Sequence, residues 1–229
     1  MKLAYKAITI LGLFSIITSQ LFARAGDSTS IVGLESQARM IFQNLKSDDL
    51  TIEAFSNAYI GYRQLLHENI VEKKNILTII DFNKSSKEER FFIIDISKQS
   101  VIHESLVAHG KNSGWDIPTS FSNIPNTNKS SLGFYLTGET YVGKHGLSLK
   151  LDGLEEGIND NARKRHIVIH EADYVSDEFV NKIGRLGRSF GCPSLPDENY
   201  NQVINLIKNK SLLFIYAEKD FYFDMSNYL

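Results

Sequence analysis

The chain has 229 residues, with 25 basic and 27 acidic side chains and a formal net charge of −2. Its 42% hydrophobic and 23% charged content excludes a disordered, collagenous or multi-span membrane protein, and its length suits one domain with at most a small helical appendage. Composition alone names no activity.

The first stretch, MKLAYKAITILGLFSIITSQLFARA, carries Lys2 and Lys6, an apolar run from Ala7 to Ile17, and Ala23-Arg24-Ala25, the pattern of a secretory signal peptide. The apolar run falls short of the roughly 20 residues a spanning helix needs, so cleavage is expected after Ala25 or Ala23. No cysteine follows the run, which excludes a bacterial lipoprotein anchor. Residues 1–25 therefore read as signal peptide, 26–70 as an N-terminal helical segment and 71–229 as the main domain, exported to the periplasm or cell envelope. Removal of Lys2, Lys6 and Arg24 leaves 22 basic against 27 acidic residues, a net charge of −5. A nucleic-acid partner would need a basic patch, so none is expected.

From Ile31 to Asn69 apolar residues recur at three and four: Leu34, Ala38, Ile41, Phe42 and Leu45, then Phe55, Ala58, Tyr59, Tyr62, Leu65 and Leu66. Two amphipathic helices are predicted, joined near Ser47-Asp48-Asp49, whose side chains could cap the second. Beyond Val71 the period changes to that of strands. ILTIIDF (76–82), RFFIIDIS (90–97), VIHESLVAHG (101–110), LGFYLTG (132–138) and RHIVIHEA (165–172) are rich in Ile, Val, Phe and Tyr and are bounded by turn residues. Loops 111–131 and 152–164 are long enough to be binding loops or lids. A helix is expected over 197–210 and a buried strand over 212–218. The predicted class is α+β: a mostly antiparallel β domain, sandwich or barrel, with N-terminal helices and a C-terminal helix and strand.

The single cysteine, Cys192, lies in RSFGCPSL (188–195). Exported domains use cysteines in pairs, so a lone one is either an inert small hydrophobe or a thiol kept for chemistry. Gly191 before it permits close approach to the backbone and Pro193 after it stiffens the chain, a turn that presents a side chain rather than a core strand. A thiol with an ordinary pKa of about 8.5 needs a base to attack at neutral pH. Among six histidines, His170 ends the apolar run Ile167-Val168-Ile169, where a strand hands over to a loop. His166 shares its strand face by parity, but His-Glu-Ala-Asp-Tyr lacks the second histidine of a HExxH zinc site, and no metal or other cofactor is expected. Papain-like enzymes place cysteine before histidine, the reverse of this order. Sortases use an arginine after the cysteine, and residues 193–229 contain none. No Ser-x-x-Lys occurs, which leaves a serine transpeptidase unsupported.

RHIVIHEADYVSDEFVNKIGRLGRSFGCPSL resembles the active-site segment of the YkuD-like L,D-transpeptidases. VAHGKNSG, FSN, SSLGFYLTGETYVGKHGLSLKLDGLEEGIND and GRLGRSFGCP resemble its murein L,D-transpeptidase catalytic domain subgroup, from about Phe55 to Tyr216. The resemblance implies Cys192 as nucleophile and His170 as base, with a backbone carbonyl orienting the imidazole and the Gly191 and Cys192 N–H groups facing the oxyanion. Ser189 matches the serine that opens the family turn, while Phe190, Ser194 and Glu171 depart from common family residues. The implied acyl donor is a peptidoglycan stem tetrapeptide cleaved after its diaminopimelate. Arg185, Arg188 and Lys144 are candidates for its carboxylates, and His109, His145, Ser189, Phe190 and Ser194 complete the substrate-binding candidates. Transfer to an amine of a second stem peptide would form an L,D cross-link; water as acceptor would make a carboxypeptidase or amidase. A wall-binding domain without activity is the third reading. An outer-membrane lipoprotein stays open as a protein substrate, and the chain is expected to be a monomer.

Overall fold

The computed structural model describes residues 30–144 and 146–229. The expected signal peptide and His145 lie outside the described residues.

Helix α1 (Ile31–Leu45) starts at Ser30, whose hydroxyl accepts from the Gly33 N–H. Helix α2 (Ile52–His67) is capped by Thr51, which accepts from the Ala54 N–H at 3.2 Å and donates to Asp81 at 2.7 Å. The expected cap at 47–49 gives way to Thr51 because only a hydroxyl directly before the first helical residue reaches the third N–H. Ser47 caps the preceding turn instead, accepting from the Leu50 N–H.

Among the described residues eight strands form one sheet: β1 (Ile76–Asp81), β2 (Phe91–Asp95), β3 (Ser100–Ser105), β4 (Gly133–Gly143), β5 (Gly146–Gly153), β6 (Val168–Glu171), β7 (Ser194–Leu195) and β8 (Leu212–Tyr216). Their order is β3-β2-β1-β8-β4-β5-β6-β7, with β1–β8 and β6–β7 parallel and the other pairs antiparallel. Past β3, Ala108 bridges Ser194 and Gly110 bridges Ser189, so the chain beyond one edge reaches the other edge and the sheet nearly closes. Helices α3 (Asp177–Ile183), α4 (Tyr200–Ile207) and α5 (Asp220–Met225) complete the fold.

The two N-terminal helices are not an appendage. Ala38, Leu45, Phe55, Tyr59 and Leu65 share one buried core with the strands, including Phe134 and Phe214, whose rings stack at 4.3 Å. Gly61 of α2 makes this possible, since a Cβ there would stand 2.1 Å from the Phe134 ring. A missing side chain sets the distance between helix and sheet.

Residues 152–164 are pinned rather than lid-like. Buried Glu155 accepts from the Phe134 N–H at 2.7 Å and from Tyr222 and Ser226, and Asn159 donates to the Leu132 and Phe134 carbonyls at 2.8 and 3.0 Å. The sequence pattern missed β5, β7, α3 and α5. Those strands are bounded by glycines or consist of two residues, and those helices span seven and six residues, too few to show a period.

Candidate active site

Strands β6 and β7 run parallel, with His170 opposite Ser194 and Glu171 opposite Leu195. The Cys192 sulfur lies one step back along the same seam, 3.5 Å from the Val168 N–H and 3.6 Å from the His166 carbonyl. Cys192 and His170 line one cleft of about 450 Å³ with Tyr141, Lys144, Arg165, Tyr174, Arg188 and Phe190. A larger cavity of about 590 Å³ is lined by Glu89, Glu104, Asp173 and Asp197 and lacks Cys192 and His170. The smaller cleft is the one that brings the lone thiol and His170 together.

The His170 ring is oriented at both nitrogens. Nδ1 lies 2.8 Å from the Glu171 carbonyl, which can only accept, so the network assigns the hydrogen to Nδ1. Nε2 then carries the lone pair and lies 3.0 Å from the Ser194 hydroxyl. Ser194 is in turn 3.0 Å from the Tyr174 hydroxyl.

The turn carrying Cys192 is stitched at each residue. The Ser189 hydroxyl accepts from the Gly191 N–H at 3.0 Å and donates to the Cys192 carbonyl at 2.6 Å. Ser130 donates to the Gly191 carbonyl at 3.1 Å and accepts from the Gly110 N–H at 3.0 Å, which clamps loop 111–131 to the turn. Gly191 has φ +129° and an added Cβ would meet the Lys129 carbonyl at 2.8 Å, so both conformation and space require glycine. Burial pushes the Cys192 thiol above its ordinary pKa, against the opposing pull of the Val168 N–H and the Arg165 charge.

Several expected roles change on this geometry. The Gly191 N–H is committed to Ser189, while among the described residues nothing accepts from the Cys192 N–H. Ser189 closes the turn and also lines the cleft. Ser194 is fully buried and faces His170, out of substrate reach. His109 is also fully buried: its Nδ1 accepts from Arg90 at 3.0 Å, and burial with the Arg90 charge pushes its imidazole down to about 3. It braces the core below the cleft and stays neutral. Arg185 is buried outside the cleft, its guanidinium 4.0 Å from the Trp115 ring centroid and bonded to the Leu186 carbonyl. Arg188 does line the cleft, but it stacks on Trp115 at 4.8 Å and donates to the Lys111 and Gly114 carbonyls. Lys144 and Phe190 are exposed on the cleft, with Lys111 Nζ 4.3 Å from the Phe190 ring centroid. His166 has φ +55° in the turn before β6 and so does not share a strand face with His170.

Arg165, Tyr174 and Ser130 went unread in the sequence. Arg165 is anchored by the Ser122 and Lys129 carbonyls and by Ser131, which holds a guanidinium beside the cysteine turn. Only the pairing of loop 120–131 with the turn reveals this, and no local motif encodes it.

The sequence profile of the L,D-transpeptidase catalytic domain matches residues 46–216. No curated protein matches the chain. Among solved structures, the chain is similar to an L,D-transpeptidase from Mycobacterium smegmatis (12% identity, TM-score 0.38, covering 62% of this chain and 59% of that one). It is also similar to the helical cell shape determining protein Pgp2 from Campylobacter jejuni (14% identity, TM-score 0.44, covering 72% of this chain and 55% of that one). The chain thus spans less than two thirds of the length of these neighbours. With the family profile covering most of its length, over the two helices' junction, the sheet and the cysteine turn alike, the chain belongs to the L,D-transpeptidase catalytic domain family.

Proposed function

We propose that the protein is an exported cysteine L,D-transpeptidase that acts in the cell envelope on peptidoglycan stem peptides. The observation that carries this reading is the pairing, in one cleft, of the lone thiol with an imidazole whose Nδ1 is spent on a backbone carbonyl. That arrangement leaves Nε2 as base.

Cys192 attacks the amide carbonyl after diaminopimelate as its proton passes to His170. The Cys192 N–H faces the developing oxyanion, and a preorganised donor of this kind contributes about 3–4 kcal/mol to transition-state stability. Collapse releases the leaving amine and gives a thioester on Cys192. An amine of a second stem peptide then displaces the sulfur to form the cross-link. Lys144 is the one sequence-predicted cation left exposed on the cleft for a substrate carboxylate. The test is mass spectrometry of the protein incubated with purified diaminopimelate-type muropeptides: dimers support the proposal, and their absence with every donor and acceptor pair counts against it.

Arg165 supplies the positive field that opposes burial at the thiol. Arg165→Met removes that field, so its iodoacetamide alkylation profile is expected to move to higher pH than the wild-type profile. An unmoved profile would show that the guanidinium does not act on the sulfur.

A further inference from the structure

The base does not end at the imidazole. His170 Nε2, the Ser194 hydroxyl and the Tyr174 hydroxyl form a chain of two 3.0 Å links, and Tyr174 at its outer end lines the cleft that holds Cys192. Ser194 is wholly buried, so the chain meets the cleft at its two ends, His170 and Tyr174.

The tyrosine is placed with care. Gly187 donates to the Tyr174 carbonyl at 2.9 Å, and a Cβ at Gly187 would stand 2.4 Å from the Tyr174 Cβ. The ring packs against the small apolar cluster of Ala108, Ala172, Val175 and Leu186. Burial raises its phenol above the ordinary range against the pull of the Ser194 hydrogen bond, so it remains a proton donor at neutral pH.

A hydroxyl has one donor and two lone pairs, so each member can accept a proton on one side while giving one on the other. We infer that Tyr174 and Ser194 form a proton relay between the His170 base and the amine that leaves or enters the acyl-enzyme in the cleft. The inference rests on the acyl-transfer reading above.

The balance is the same in both directions. When the amide C–N bond breaks and the C–S bond forms, the leaving amine takes the Tyr174 proton, Tyr174 takes that of Ser194, and Ser194 takes the one on imidazolium Nε2. When an amine forms its C–N bond to the thioester carbonyl and the C–S bond breaks, its proton returns along the chain to Nε2. No oxidant, metal or further reactant is needed.

Acetylation with p-nitrophenyl acetate followed by release with methylamine separates the steps, because p-nitrophenolate leaves without a proton and methylamine must lose one. Wild type, Tyr174→Phe and Ser194→Ala are compared by intact mass for both half-reactions. The relay predicts that aminolysis of acetyl-Cys192 falls about 10- to 100-fold in Tyr174→Phe, with a much smaller change in ester acylation. Ser194→Ala, which also strips the Nε2 partner, is expected to slow aminolysis at least as much. Equal losses in both half-reactions, or unchanged aminolysis, would overturn the relay while leaving the acyl-enzyme intact. A wild type not acetylated at Cys192 would overturn the acyl-transfer reading, and the relay with it.

Discussion

Cys192→Ala is expected to abolish cross-linking of diaminopimelate-type muropeptides and to remove any acyl adduct from the intact mass, while the protein remains folded. The sulfur is half-buried and its contacts, at 3.5 and 3.6 Å, are weak ones to the Val168 N–H and the His166 carbonyl. The turn is held by Ser189, Ser130 and the Gly191 backbone rather than by the thiol. Loss of one sulfur atom should therefore cost only about 1 kcal/mol, a typical single-substitution effect, and the melting transition checks it. Wild-type dimers that vanish in the variant establish a transpeptidase. Cysteine-dependent loss of the terminal residue without dimers would make the protein a hydrolase of the same bond. Activity that survives in Cys192→Ala would refute the nucleophile assignment.

The proposed nucleophile and base are legible in the sequence because each sits in a contiguous stretch with local meaning. Gly191-Cys192-Pro193 is a turn on its face, and His170 ends an unbroken apolar run. The supporting residues were not legible, since their roles come from pairing across the sheet. Ser194 reads as a substrate-binding candidate until β7 lies parallel to β6 and sets it against Nε2. His109 reads as a substrate-binding candidate at the end of a predicted strand, yet the near-closure of the sheet buries it against Arg90. Arg185 and Arg188 follow the same logic. A charge near the cysteine in sequence suggested a substrate anchor, but the Trp115 ring and backbone carbonyls take up both guanidiniums. Proximity along the chain predicted which elements make the site, and only topology decided which side chains face it.

His170→Asn should leave the orientation of the site and remove its base. An asparagine amide can still donate toward the Glu171 carbonyl, which His170 Nδ1 meets at 2.8 Å, but it offers no lone pair of imidazole basicity at the Nε2 position. Loss of a positioned general base costs about 10²- to 10⁴-fold, so turnover should fall into that range. The fold should weaken slightly, because the buried Ser194 hydroxyl loses its acceptor; about 1 kcal/mol, or about 2–4 °C in Tm, is the expected penalty. The pH dependence gives the sharper test. Burial raises the thiol, so without the imidazole to take its proton the thiolate fraction at neutral pH is small and grows only as pH climbs toward the raised value. Alkylation of the variant should then require higher pH than alkylation of the wild type. If the two profiles coincide, the imidazole does not share the Cys192 proton, and the base must be sought among the other groups that line the cleft.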